Sequence, residues 1–393
     1  MHGGSGWQRP LFAKFLRDAE RMSIRPFQLE RYFARYEFQT PLALSSSDCE
    51  ALSLEELLAL ASEQDRARWA HLKLGYTESA GHPELREWIA AEYEAIGAVQ
   101  VITAVPEEAI YLTMRTLLQA GDRIVCTFPG YQSLYEIGRS MGCEVNYWQP
   151  REGASGWDFS LDDLEPLLEL GPKAVIVNFP HNPTGAQLRE EDWNRLLSRT
   201  ERDGIWLVSD EMYRGLEYNG RPLKAAVTAH SRGISIAGLS KAYGLAGLRS
   251  GWVISQSVEL LRAIQCYKDY TTICGSGPGE YLSLLAMKQA ELLRTRCRKI
   301  IRKNREKLEE FMTLHTDYFE MREPQAGPIC LPKWRGKSSS EFCEKVAAEA
   351  GIMMLPSTVY DAGDTHLRIG FGRENFAVAL DALAAYLKQA DWR

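Results

Sequence analysis

The sequence predicts an α/β protein: a large domain on a seven-stranded, mostly parallel sheet, then a smaller α+β domain. Three observations carry this. Short apolar runs rich in β-branched residues recur through the middle of the chain. Amphipathic segments of helical period separate them. Beyond about residue 280 the pattern changes to long helices with only short apolar pieces between them. Alternation of strand and helix implies parallel strands covered by helices. Runs that are apolar at nearly every position are what strands buried on both faces require.

The expected strands are 99–105, 121–129, 143–148, 174–180, 206–210, 234–239 and 251–255. The expected helices between and after them are 107–119, 131–141, 161–169, 187–201 and 256–268. Residues 280–315 read as one long helix of strong formers without a breaker, and 339–350 and 374–388 as two more. Short strand-like pieces at 328–332, 352–355 and 366–371 complete the smaller domain. The boundaries that follow are an extension over 1–22, a segment over 23–62 packing on the small domain, a large domain over 63–290 and a small domain over 291–393.

Composition narrows the function. The 393 residues are 45% hydrophobic and 25% charged, enough for a core without staples. No run approaches the roughly 18 apolar residues of a membrane span. The net charge of −6 argues against a nucleic-acid-binding surface. The basic stretch from Arg294 to Lys307 reads as the solvated face of a helix, with Leu292, Leu293, Ile300, Ile301 and Leu308 turned inward. The eight cysteines show neither CxxC spacing nor a Cys/His cluster, so no metal is expected. They read as buried, reduced thiols of a cytoplasmic protein. The first ten residues lack the apolar region of a secretory signal, and Met22 offers an alternative start.

In open α/β sheets ligands bind beyond the carboxyl ends of the strands. Those ends carry Glu107, Tyr131, Asn178 with Asn182, Asp210 with Tyr213, and Ser240 with Lys241. No Ser-His-Asp set, phosphate-binding P-loop or GxGxxG stands among them. Lys241 follows a buried strand, so desolvation should lower its pKa and make it nucleophilic. Arg249 lies eight residues on, past glycines that let the loop fold back. Together they suit an aldehyde cofactor that also carries a phosphate. Asp210 ends Ile-Trp-Leu-Val-Ser-Asp. A buried carboxylate needs a partner, and a protonated pyridine nitrogen would supply one. Asn182, in a turn after a strand, could aim its amide at a phenolic oxygen. The ring of Tyr131 could stack on a pyridine.

With these pieces in view the chain resembles the class I/II aminotransferase family of fold-type I pyridoxal 5′-phosphate (PLP) enzymes. The matching stretches are Tyr76-Thr-Glu-Ser-Ala-Gly81 with Leu85-Arg86, Phe128-Pro-Gly-Tyr131, Asn178-Phe-Pro-His-Asn-Pro-Thr-Gly185, Ser209-Asp-Glu-Met-Tyr213, Ser240-Lys241 through Arg249, and Leu367-Arg-Ile-Gly-Phe-Gly372. They run in the family's order from about residue 30 to the end. The resemblance implies that Lys241 forms a Schiff base with PLP and shuttles the substrate proton. It implies that Asp210 holds the proton on the ring nitrogen, that Tyr213 and Asn182 bond the phenolic oxygen, and that Tyr131 stacks on the ring. Ser240, Arg249 and the backbone near Glu107 would hold the phosphate. Tyr76 would reach the phosphate of a neighbouring subunit, which makes a homodimer part of the expectation. Arg368 would clamp the substrate carboxylate in a bidentate fork. Two departures stand out. The family usually has Gly and then a small residue whose N–H binds phosphate before the first helix, where this chain reads Val105-Pro106-Glu107 and Pro106 lacks that donor, and Gly238 stands where the family often has Ser or Thr.

The default reaction of such an enzyme is transamination between an amino acid and a 2-keto acid. The stretch Lys268–Pro278 and the Ser45-Ser46-Ser47 run also resemble capreomycidine-synthase-like PLP enzymes, which eliminate a hydroxyl from hydroxyarginine and cyclise the guanidine. Such an enzyme would be expected to carry a histidine near its N-terminal substrate loop, and none lies between 24 and 70. Glu50 is placed to pair with a guanidinium, or to cap the helix at 53–62. Transamination is the first expectation, and elimination with cyclisation the alternative. Side-chain selectivity is expected from 23–50, 270–279 and 356–364. There Glu50, Asp48, Asp269 and Asp361 hint at a polar or cationic side chain. A sensor fused to a DNA-binding module is disfavoured, because no N-terminal helix-turn-helix fits.

Overall fold

The structure is a computed structural model that describes residues 24–153 and 156–389. The extension expected over 1–22 lies outside the described residues. All seven expected strands form one sheet: β1 (Val101–Ala104), β2 (Arg123–Thr127), β3 (Glu144–Trp148), β4 (Ala174–Asn178), β5 (Trp206–Asp210), β6 (Gly233–Gly238) and β7 (Gly251–Ser255). Their spatial order is β1-β7-β6-β5-β4-β2-β3. β4, β6 and β7 are buried at every position, as their continuous hydrophobicity demands. Alternate side chains feed two separate cores. Ile124, Ile176, Val208 and Ile236 face the helices Pro106–Leu117, Ser133–Ser140 and Val258–Lys268. Val125, Val175, Val177 and Leu207 face Leu161–Glu169 and Glu190–Arg202.

The strand directions place the site. β2 to β6 pair in parallel, so their carboxyl ends share one edge. β7 runs antiparallel to both neighbours, β1 and β6. Its beginning therefore lies at that same edge, and Arg249, just before it, is delivered beside Lys241, just after β6.

Three readings of the sequence need correction. The stretch 280–315 is two helices, Gly277–Lys288 and Ala290–Leu314. Gln289, which is neither Gly nor Pro, breaks the ladder at φ −117°, its N–H bonding the Ala286 carbonyl three residues back. The first helix is enclosed from Glu280 to Met287, whereas the second buries only a stripe: Leu293, Cys297, Ile301, Asn304 and Leu308. The two bury their surfaces in different ways, and no local signal announces the break. Nor is the basic stretch wholly solvated. Leu292 is exposed and Ile300 half-buried, while Arg294 pairs with Glu92 and Arg298 bonds the Gly215 carbonyl. The cysteines also divide: six are buried, Cys274 is half-buried and Cys266 is exposed. No described helix is long and apolar enough to cross a membrane.

The smaller unit carries a three-stranded antiparallel sheet of Ile329–Cys330, Leu367–Gly370 and Leu355–Pro356. The segment after residue 24 does pack there: Leu42–Ala43 pairs in parallel with Ile352–Met353, and Leu29 joins Leu355, Val359 and Tyr360 in one cluster. The loop after Leu42–Ala43 then lies directly on the strand that carries Arg368. The Gly370 N–H donates to the Leu44 carbonyl at 2.7 Å, and the Glu50 N–H to the Gly372 carbonyl at 2.8 Å. A Cβ on Gly370 would sit 1.8 Å from the Ser46 carbonyl oxygen, and one on Gly372 would sit 2.2 Å from that of Asp48. These two glycines exist for close backbone approach. Gly370→Ala is expected to push the 45–48 loop off its strand and destabilise the protein by about 1–3 kcal/mol. Chemical denaturation reads this as a lowered midpoint. An unchanged midpoint would mean that the loop is not held there.

Candidate active site

At the shared strand edge lies a cavity of about 350 Å³. Seven of the residues singled out in the sequence line it together: Glu107, Tyr131, Asn182, Asp210, Tyr213, Ser240 and Lys241. Arg249 and Arg368 line it as well. Two do not. Tyr76 is 92% exposed and lines no part of this cavity. Glu50 lies outside the lining; its Oε2 accepts from the Glu374 N–H at 3.1 Å, and its carboxylate is 3.8 Å from Arg373. It does not cap a helix either, since Ser53 and Glu56 form the capping box there.

Asp210 ends central strand β5 and is buried. Its Oδ1 accepts one hydrogen bond, from the Met212 N–H at 3.1 Å. Burial pushes its carboxyl up to about 7, with Glu107 and Glu211 adding to the shift and Lys241 opposing it. Asn178 braces this corner. Its Nδ2 donates to the Asp210 carbonyl at 3.0 Å, and its Oδ1 accepts from the Asn182 N–H at 2.8 Å. Lys241 is partly accessible, but only into the cavity; its Nζ donates to the Ser47 hydroxyl at 2.9 Å. Burial lowers its pKa, Asp48 and Glu30 opposing, so the site favours a neutral amine.

Arg368 is buried in the small unit's middle strand. Its Nη1 donates to the Tyr360 hydroxyl at 2.6 Å and to Asn182 Oδ1 at 3.1 Å. Its Nε and Nη2 edge donates to the Ser45 carbonyl, at 3.2 and 2.5 Å. Because Asn182 Oδ1 is engaged, its Nδ2 remains the free donor. Arg249 sits at φ +51°, a left-handed conformation that costs a non-glycine residue about 1 kcal/mol or more. Ser240 Oγ is buried without a partner.

The two departures from the family pattern are one feature. A Cβ on Gly238 would lie 3.1 Å from Cγ of Pro106, and one on Gly251 would lie 2.9 Å from the same atom. A Cβ on Gly238 would meet the Ser250 carbonyl oxygen first, at 2.8 Å, so the strand backbone and the proline ring together fill the space that a side chain at 238 would need.

Several lining residues carried no motif. Glu30 and Glu37 stand seven apart, on and just after the helix Gln28–Tyr36, so both turn the same way. That spacing was the one available signal. Among the described residues neither forms an ion pair. Burial pushes the Glu37 carboxyl up, with the Glu30 and Asp48 charges adding to it. Asp48 instead receives Nη2 of Arg373, at 3.1 and 3.0 Å. Arg373 follows directly on the Leu367–Gly372 motif, and Asn304 of the long helix fixes its carbonyl at 2.7 Å.

An amine, a buried carboxyl short of partners, a free amide donor, two phenols, an orphan hydroxyl and an exposed guanidinium thus meet in one cavity. This set fits an aldehyde-bearing pyridine with a phosphate. The comparisons with known proteins agree. The profile of the family described as "Aminotransferase class I and II" matches residues 40–383, and the chain belongs to that family. Its cofactor is PLP. Among curated relatives, capreomycidine synthase of Streptomyces vinaceus is 30% identical over 346 residues, 87% of this chain and 88% of that protein. The valine–pyruvate aminotransferase of Mycobacterium tuberculosis is 32% identical over 272 residues, 66% of this chain and 68% of that one. A crystal structure of a PLP-dependent aminotransferase from Streptococcus suis superposes with a TM-score of 0.88 at 26% identity, covering 95% of this chain and all of that one. The PLP-dependent cyclase OrfR superposes at 0.86 with 30% identity, covering 93% and 97%.

Gly238→Ala is expected to destabilise the protein by about 1–3 kcal/mol through the overpacked Pro106 ring. Adding Pro106→Ala should recover part of that loss. Strict additivity of the two changes in a double-mutant cycle would show that the residues do not share this space.

Proposed function

We propose that this chain is a PLP-dependent aminotransferase that takes an α-amino acid with a cationic side chain and passes its amino group to a 2-keto acid. The observation that carries this reading is the set of charges lining the cavity: Arg368 together with Glu30, Glu37 and Asp48, of which only Asp48 is paired with a cation. A substrate with a carboxylate at one end and a positive charge at the other matches both.

Bound PLP supplies an electron sink that makes the substrate Cα–H acidic. The chain's own residues do the rest. Lys241 Nζ, whose pKa burial lowers, would hold the cofactor aldehyde and, once released, would move the proton at Cα. Asp210 holds the proton on the ring nitrogen, and that positive partner draws its carboxyl into the ionised form. Asn182 Nδ2 and the Tyr213 hydroxyl hold the phenolic oxygen, and Tyr131 covers the ring. Ser240 and Arg249 hold the phosphate, with the N-terminus of Pro106–Leu117 adding its partial positive charge. The substrate carboxylate takes the Nε–Nη2 edge of Arg368 and displaces the Ser45 carbonyl from it. We assign the exposed Tyr76 to the phosphate of a second copy in a homodimer. Leu74, Tyr270 and Ile273, exposed as well, supply apolar surface for such a contact.

A second reading has its own support. The same acidic mouth suits a guanidinium, and capreomycidine synthase and OrfR are each 30% identical to this chain. On that reading a hydroxylated arginine-like substrate loses its hydroxyl as water, and a guanidine nitrogen closes a ring with the amino group retained. Mass spectrometry of products from an amino-acid panel, with and without a keto acid, separates the two. Keto acid formed from cationic amino acids only when an acceptor is present is the expected result. Loss of water without an acceptor would replace the first reading by the second. Turnover confined to neutral or acidic amino acids would sink the side-chain assignment. Lys241→Ala should abolish every reaction while leaving the protein folded.

Glu30→Gln and Glu37→Gln are each expected to raise KM for a cationic substrate about two- to fivefold, because exposed charge pairs contribute modestly. The effect should shrink as salt is added, and kcat should stay near its original value. Unchanged KM in the double variant would place the cationic group elsewhere.

A further inference from the structure

Glu107 has no task in the mechanism above. It lies in the first turn of the helix Pro106–Leu117, and its carboxyl reaches into the cavity. Oε1 accepts from the Ser133 hydroxyl, and the Tyr131 phenol lies against the same carboxyl. Oε2 is buried with no hydrogen-bond partner. Burial pushes this carboxyl up; Glu30 adds to the shift, while Ser133, Tyr131 and Arg249 oppose it. Its charge is also felt by Asp210.

A phosphate dianion held by Ser240 and Arg249 would bring a second negative charge to this enclosed corner. An ionised Glu107 would then face Glu30 and the phosphate, with Arg249 opposing them and Asp210 paired with the ring nitrogen. Protonation removes the conflict. It also turns the orphan Oε2 into a donor, where the ionised group offers only acceptors. We propose that Glu107 is a positioning residue that takes up a proton as PLP binds, and as a neutral carboxyl holds Tyr131 in place over the cofactor ring. This rests on the assignment of the phosphate to Ser240 and Arg249.

The linkage has a definite sign. Glu107 binds its proton more tightly in the complex than in the cofactor-free protein. PLP affinity therefore falls as pH rises between the two pKa values, by up to about tenfold per pH unit. The test is the PLP dissociation constant of the full chain, followed by absorbance from about pH 5.5 to about pH 9, for the original protein, Glu107→Gln and Ser133→Ala. Glu107→Gln should lose this part of the pH dependence and hold PLP at high pH about as well as the original protein does at low pH. Ser133→Ala, by removing a donor that favours the ionised carboxylate, should move the window to higher pH. Pyridoxal, which lacks the phosphate, should show little difference between the original protein and Glu107→Gln. Equal pH dependence for PLP in both proteins would overturn the proposal, as would a uniform weakening by Glu107→Gln at every pH. No PLP binding by the original protein at any pH would instead overturn the assignment on which the proposal rests.

Discussion

A carboxyl buried at the end of a central strand, with one backbone N–H for company, is the constraint around which this molecule is arranged. β5 has parallel neighbours on both sides, so Asp210 cannot turn to solvent. Among the described residues it forms no ion pair. Such a group costs free energy until a positive partner arrives or a proton neutralises it. The same low-dielectric corner acts in the opposite sense on Lys241, favouring its neutral form. One environment thus raises the pKa of an acid and lowers that of an amine. Asn178 ties the two strand ends and the Asn182 turn together, so the corner cannot relax by opening.

The approach to that corner rests on packing more than on hydrogen bonds. Pro106 gives up an N–H that a helix's first turn does not use internally. Its ring lies over β6 and β7, and glycines at 238 and 251 leave the room. The two departures from the family pattern thus lie against one another, with the Ser250 carbonyl bounding the same space. Glycines 370 and 372 serve the same end in the small unit. They let the 45–50 backbone lie on the strand of Arg368, and the side chains of Arg368, Lys241 and Arg373 hold Ser45, Ser47 and Asp48 there.

Much of this was legible in the sequence, for reasons that differ by residue. The seven strands declared themselves because their runs are short, mostly apolar and bounded by helical patterns, even where the edge strand β3 leaves Glu144 exposed. Lys241, Asp210, Asn182 and Arg368 sit in short stretches whose chemistry restricts what can stand beside them. The break at Gln289 was not legible, because it arises from two helices burying their surfaces differently and not from a residue that cannot be helical. Glu50 misled because its carboxylate approaches Arg373 from outside the cavity lining, where its Oε2 accepts from the Glu374 N–H. Glu30 and Glu37 escaped notice because carboxylates on an exposed helix face look alike whether or not a cavity opens beneath them.

Those two carboxylates also bear on the reaction. An aminotransferase must pass donor and acceptor through one cavity in turn. An acidic mouth welcomes a cationic donor but opposes a dicarboxylate acceptor, whose second carboxylate would meet Glu30 and Glu37. Arg373 is the one cation near the mouth, and Asp48 and Glu50 already hold it. Transamination in this site therefore calls for an acceptor with a single carboxylate and an uncharged side chain, able to use Arg368 and leave the mouth empty. Elimination with ring closure needs no acceptor at all, and the cavity then has to satisfy only one substrate, charged at both ends. The unpaired carboxylates are thus compatible with both chemistries but not with a general one. They restrict transamination to a narrow choice of acceptor and leave cyclisation unrestricted.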